Sequence, residues 1–243
     1  MERFKKDVAI VTGAGTGIGQ AIAAGFVEEG ACVAFVGRRM EKLEAASAGL
    51  PKERVLCLSC DVADRPSVNA VVQQVVDQFS PVNVLVNNAG INTNPRSVAE
   101  IAPTDWDYTV AVNLTGAFNC IRAVLPGMRQ RKSGVIINVS SIAGLRASKL
   151  AGAAYSAAKH GMVALNHSIN EEEKDYGIRA CVICPGEVET PIIDQRPEPV
   201  GPAHRGRMLQ PEDVAAAALF VASLPPRACV PELIIKPTSQ IYQ

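Results

Sequence analysis

Thr12-Gly13-Ala14-Gly15-Thr16-Gly17-Ile18-Gly19 decides how this chain is read. It closes the apolar, β-branched run Val8–Thr12 and opens a segment, Gly17–Glu29, whose apolar residues recur at helical spacing. Glycines at a strand-to-helix turn permit a tight bend and let a pyrophosphate approach backbone N–H groups. They also allow the helix to pack closely on the strand. The spacing is Gly-x3-Gly-x-Gly. The stricter GxGxxG spacing is not met, because Gly13 and Gly15 would require glycine where Ile18 stands. No Gly-Lys-Ser/Thr follows, which disfavours a mononucleotide loop. An ordinary strand–helix turn is the competing reading. Its place as the first strand–turn–helix of an alternating chain favours dinucleotide binding.

The alternation continues outward from that turn. Ala31–Val36, Val55–Ser59, Asn83–Val86, Gly134–Val139, Ile178–Ile183 and Val230–Ile235 read as further short, continuously apolar strands. Met40–Ala48, Ser67–Phe79, Thr104–Arg131 (with Pro126 as the place for a bend), Ala153–Tyr176 and Pro211–Ala222 read as helices between them. This predicts one α/β domain over 1–243, a doubly wound (Rossmann) parallel sheet of about seven strands covered on both faces. The irregular stretch 191–210 carries Pro191, Pro197, Pro199 and Pro202. An excursion after a late strand is the expected place for a substrate lid.

Composition narrows the function classes. The chain has 243 residues, 48% of them hydrophobic and 20% charged, which suits a single globular domain with a substantial core. Twenty-four basic residues balance 24 acidic ones, so no general grip on nucleic acid or anionic membrane is expected. No segment approaches the roughly 20 apolar residues that span a bilayer. The N-terminal residues Met1–Asp7 lack the apolar core of a signal peptide, giving a cytoplasmic expectation. Cys57/Cys60 and Cys181/Cys184 have CxxC spacing, yet each pair lies in a strand-like run where residues i and i+3 face opposite ways. Buried, reduced cysteines are therefore expected rather than a zinc site. His160, His167 and His204 form no ligand pattern, so no metal is expected.

The second strand bears on cofactor choice. A dinucleotide site commonly places a carboxylate there to hold the ribose 2′-OH. Here the strand ends Val36-Gly37-Arg38-Arg39, with two guanidiniums suited to a 2′-phosphate. NADP(H) is therefore favoured over NAD(H), with Arg38 the main contact and Arg39 secondary. Solvated arginines at a strand end are the plainer alternative.

Thr12-Gly13-x3-Gly17-x-Gly19, Asn87-Asn88-Ala89-Gly90, Asn113, Ser141, Tyr155-x3-Lys159 and Pro185-Gly186 occur in this order. With them the chain resembles the classical short-chain dehydrogenase/reductase family over nearly its whole length. The resemblance implies that Gly13, Gly15, Thr16, Gly17, Ile18 and Gly19 form the cofactor turn and that Asp61-Val62 flank the adenine. It also implies that Asn88, Ala89 and Gly90 line the cofactor further along, and that Pro185-Gly186, Val188 and Thr190 meet the nicotinamide end. Asn113, otherwise an unremarkable polar residue, would by the same resemblance help hold a water that relays protons toward Lys159. A homotetramer built through the long helices around 104–131 and 153–176 is implied as well. The chain departs from many members in lacking a glycine-rich segment after its last strand, where Lys236-Pro237-Thr238-Ser239-Gln240 stands.

Tyr155 and Lys159, four apart in a helical segment, share a face. A phenol's ordinary pKa of about 10 impedes proton transfer near neutrality, and a neighbouring ammonium together with an oxidised nicotinamide would lower it. Tyr155 would then exchange the proton with a carbonyl or alcohol oxygen. Ser141, at the C-terminal end of a strand, would donate to the same oxygen, with Ser140 its rival. On their own, the pair also fits a half-buried tyrosine beside a snorkelling lysine. The expected reaction is hydride transfer between nicotinamide and a small carbonyl or secondary-alcohol substrate. An epimerase or dehydratase on the same fold, and a non-catalytic dinucleotide-binding scaffold, are the alternatives.

Overall fold

The computed structural model describes residues 2–241. Seven strands, β1 (Val8–Thr12), β2 (Cys32–Gly37), β3 (Val55–Ser59), β4 (Val84–Asn87), β5 (Gly134–Val139), β6 (Ile178–Pro185) and β7 (Glu232–Ile235), form one parallel sheet. Its order is β3-β2-β1-β4-β5-β6-β7. The expected doubly wound architecture is present, and strand bounds agree with the sequence reading to within two residues.

Alternation along the strands sends side chains into two separate cores. On one face Ala9, Val11, Val33, Phe35, Val84, Val86 and Ile137 pack with residues of α1 (Gly17–Glu28), α2 (Met40–Ala46) and α8 (Pro211–Ser223). On the other, Val8, Ile10, Ala34, Val36, Leu85 and Ile136 meet α3 (Arg65–Gln78), α5 (Gly116–Arg131) and α6 (Ala153–Glu173). Cys57 packs against the first core and Cys60 lies in the second, as their odd separation requires. All seven cysteines are free. Burial pushes the Cys120 and Cys181 thiols up to about 12, which makes them poor nucleophiles.

The long helical stretch expected over Thr104–Arg131 divides into α4 (Pro103–Val110), a π-turn at Ala111–Thr115, and α5. Pro126 lies inside α5, so the departure from α geometry falls at the π-turn and not at the proline. Its cause is tertiary: the amide of Asn113, within the π-turn, both accepts from Ile91 N (2.7 Å) and donates to Ile91 O (2.8 Å). Between β6 and α8 the chain forms a 3-10 turn at Pro191–Gln195 and the short helix α7 (Pro202–Arg205). The ends of this excursion are zipped together by Glu189 N→Leu209 O (2.8 Å) and Leu209 N→Glu187 O (3.0 Å).

Sequential strand order reverses between β1 and β4, which opens a crevice beyond their C-terminal ends. Gly13 and Asn88, which follow those two strands, meet there.

Candidate active site

The crevice is built by glycine and braced by one threonine. Gly13 and Gly17 hold left-handed backbone (φ +66° and +57°). A Cβ on Gly13 would sit 2.9 Å from Ala89 Cα, and one on Gly17 2.9 Å from Thr190 Cγ2. The hydroxyl of buried Thr12 accepts from Asn88 N (3.0 Å) and Ala89 N (3.1 Å) and donates to Val86 O (3.3 Å). The Asn88 side chain returns a bond to Thr12 O at 3.0 Å. The loops after β1 and β4 are thereby tied into one wall.

A groove of about 250 Å³ runs along this wall. Gly13, Gly15, Thr16, Gly17 and Ile18 line its middle, and Arg38, Arg39, Asp61 and Val62 one end. Asn88, Ala89, Gly90, Tyr155, Lys159 and Thr190 line the other. Gly19 does not line it; a Cβ there would meet Gly13 O and Asn88 Nδ2 at 2.3 Å, so its work is helix-to-strand packing. Pro185, Gly186 and Val188 line instead a second cavity of about 390 Å³ that shares Tyr155, Ser140 and Thr190 with the first. Ser141 belongs to this second cavity. Asn113 lines neither, but its Oδ1 and Lys159 Nζ would both come within 3.6 Å of a Cβ on Gly90.

The two serines differ in surroundings. Ser140 donates its hydroxyl to Lys159 O (3.0 Å) and is buried, a structural use. Ser141 accepts from Ala143 N (3.1 Å) and lies against Tyr155, drawing the phenol pKa down. Lys159 Nζ lies 5.6 Å from the Tyr155 ring centroid and donates to Val139 O at 2.8 Å. Burial lowers the Lys159 pKa to about 8.

One expectation needs correction. The Tyr155 pKa is raised, because burial of the phenol outweighs the lowering by Ser141 and by the positive charge of Arg96; Lys159 is not among the causes. The Asn113 side-chain oxygen and nitrogen both bond to the backbone of Ile91.

Two residues that sequence reading missed stand out. Lys42 joins Arg38 and Arg39 in the groove, one turn into α2. Its signal was its position, three residues past the paired arginines. Arg96 lines the second cavity and has no periodic signal, since it sits on a long loop after β4. Arg38 also donates to Tyr108 Oη, with its guanidinium 5.8 Å from that ring's centroid. Among the described residues no cluster of three or more His, Cys, Asp or Glu side chains could hold a metal. No described helix is long and apolar enough to cross a membrane.

The crevice thus lies at the strand-order reversal, is lined by glycines and opens on a Ser/Tyr/Lys group. A family profile described as short chain dehydrogenase matches residues 7–200. The chain is 34% identical over 229 residues to the 3-oxoacyl-acyl-carrier-protein reductase of Thermotoga maritima, covering 91% of this chain and 92% of that one. Its structure is similar to an alcohol dehydrogenase of the archaeon Thermococcus sibiricus complexed with 5-hydroxy-NADP. That match has a TM-score of 0.86 and 27% identity, and covers 98% of this chain and 99% of the other. It is also similar to the closed form of a serine dehydrogenase complexed with NADP+, at the same TM-score and identity, with 97% and 96% covered. The chain belongs to the short-chain dehydrogenase family, and it is an oxidoreductase acting on CH–OH and C=O groups.

Proposed function

We propose that the protein interconverts a small carbonyl compound and its secondary alcohol with NADP(H), using Ser141, Tyr155 and Lys159. The observation that carries this reading is their convergence. The phenol of Tyr155 forms part of the wall common to both cavities, with Ser141 beside it and the Lys159 ammonium 5.6 Å from its ring.

The groove fits a dinucleotide. Side chains on Gly13 or Gly17 would fill it or clash with its wall, and three cations, Arg38, Arg39 and Lys42, collect where β2 ends. Asp61 is the sole carboxylate on the described lining, and it lies on β3's side. This charge balance favours a 2′-phosphate, which Arg38 and Arg39 would hold as planar forks and Lys42 as a point charge. Gly13–Ile18 would take the pyrophosphate against backbone N–H groups at the start of α1. When bound, the nicotinamide supplies or accepts the hydride.

The chain's own groups handle the proton and the alignment. In reduction the Tyr155 O–H donates its proton to the substrate oxygen as charge develops there, while the Ser141 hydroxyl donates a hydrogen bond to the same atom. The high phenol pKa suits Tyr155 to hold this proton until it is needed. Lys159, with its pKa lowered to about 8, is able to return a proton to the phenolate afterwards. Asn113 fixes Ile91 and the Gly90 turn against Lys159. The excursion 191–210 would cover the substrate as a lid. The exposed Trp106, Tyr108 and Phe118 along α4–α5 are where the expected tetramer would assemble.

Replacing Tyr155 by Phe removes the donor with little change in shape. Cofactor affinity should stay within about twofold, and turnover should fall by the 10²–10⁴-fold typical of a lost general acid. Retained turnover would overturn the assignment.

A further inference from the structure

The second cavity carries an unusual charge pattern. Arg96, Arg146 and Arg196 all line it, and Glu187 is its one carboxylate among the described lining residues. Glu187 is already engaged: Arg196 Nη1 approaches its Oε1 at 2.8 Å and His204 Nε2 its Oε2 at 2.8 Å.

Arg96 is different in kind. It is 9% exposed, and each of its guanidinium nitrogens donates to a backbone carbonyl: Nε to Thr93 O (3.1 Å), Nη1 to Leu150 O (2.9 Å) and Nη2 to Gln195 O (2.7 Å). None of these acceptors carries a charge, and no salt bridge forms between Arg96 and a described carboxylate. Three carbonyls use three of the five N–H groups of a guanidinium. Burying an unpaired cation is costly unless an anion joins it. Arg196, on the lid side, is near enough to repel it. The positive charge also reaches Tyr155, where it lowers the phenol pKa.

A carboxylate docked in this cavity would remove both penalties. It would neutralise the buried cation, and it would screen Arg96 from Arg196. The planar fork of a guanidinium matches a carboxylate in shape. The remaining wall, formed by Ile142, Leu150, Val188, Ile192 and Ile193, is apolar and suits a short aliphatic chain. We infer that the substrate is an oxo or hydroxy carboxylic acid, bound with its carboxylate at Arg96 and Arg196 and its reacting oxygen at Tyr155 and Ser141.

Arg96 has a second consequence for the same site. Its three acceptors lie in the loop after β4, the loop before α6 and the 3-10 turn that begins the lid. Asn94 Nδ2 donates to the same Gln195 carbonyl at 2.7 Å. The anion would therefore land on the residue that latches the lid to the cavity wall.

This inference rests on the oxidoreductase reading, so its test uses two separate readouts on the full chain saturated with NADP+ or NADPH. The first is calorimetric titration with malonate, a carboxylate probe that needs no turnover. The second is the kcat/KM ratio of acetoacetate to methyl acetoacetate, with levulinate and its methyl ester as a longer pair. Malonate should bind wild type, and at least one acid should exceed its ester by tenfold or more. Arg96→Gln should weaken malonate at least tenfold and bring the acid/ester ratio toward one. Arg196→Gln should act in the same direction and gives the same reading if Arg96→Gln does not fold. Glu187→Gln, which releases Arg196, should tighten malonate. Absent malonate binding, or acid/ester ratios near one in wild type, would overturn the inference while leaving hydride transfer intact. Malonate binding lost on Arg96→Gln, in a protein that never oxidises NADPH, would support the anion site and sink the proposed reaction instead.

Discussion

Replacing Thr12 by Val tests whether one hydroxyl holds the two walls of the cofactor groove together. Valine has the same shape, so no cavity opens. What disappears is the acceptor of two N–H groups, Asn88 and Ala89, and the donor to Val86 O. Each orphaned amide costs about 1–3 kcal/mol when water cannot reach it. Both residues are partly exposed, which places the cost in the lower half of that range. Two amides then give about 2–4 kcal/mol, and the new buried methyl offsets roughly 0.8 kcal/mol. The expected net loss is about 1–3 kcal/mol, or roughly 2–12 °C in Tm for a chain of this size. Urea unfolding checks the stability, and titration with NADPH should show affinity reduced about tenfold, because Asn88 and Ala89 line the groove. Thr12→Ser keeps the hydroxyl and should lose only about 1 kcal/mol. A Thr12→Val variant as stable as Thr12→Ser, with NADPH affinity unchanged, would refute the reasoning.

Two further outcomes follow from charge. Burial holds the Lys159 ammonium at a pKa of about 8, below the ordinary 10.5, so kcat/KM for carbonyl reduction should be level at lower pH and fall as pH rises through about 8. Above that point the folded protein binds fewer protons at Lys159 than the unfolded chain does, so this group makes stability rise with pH between about 8 and 10.5. A rate profile without a break near 8 would remove Lys159 from the proton path. Arg38→Asp should cut NADPH affinity at least tenfold and move preference toward NADH, as measured by paired titrations; an unchanged preference would assign Arg38 to its contact with Tyr108 alone.

Much of the architecture was legible because buried parallel strands are continuous apolar runs. Val8–Thr12, Val55–Ser59 and Gly134–Val139 have the bounds their composition predicts. The last strand starts two residues later than expected, at Glu232, where an edge position leaves its side chains alternately exposed. The glycine turn and the Tyr155/Lys159 pair were legible because local spacing sets them. The position of Arg96 was not, since a loop places it and only tertiary carbonyls hold it. The phenol pKa misled for a related reason: spacing reveals a neighbouring lysine, but not the depth of burial that raises the phenol's pKa. Pro126 drew attention by its identity, whereas the real irregularity is imposed by Ile91 from across the site.

The π-turn at Ala111–Thr115 sets the phase of everything that follows it. Each residue advances a helix by about 100°. Shortening this turn by one residue would swing the apolar stripe of α5, with Cys120, Ile121, Val124 and Met128, about a quarter turn off the sheet. The extra residue that turns Asn113 toward Ile91 is thus also what aims α5 at its core, and neither can be edited without the other.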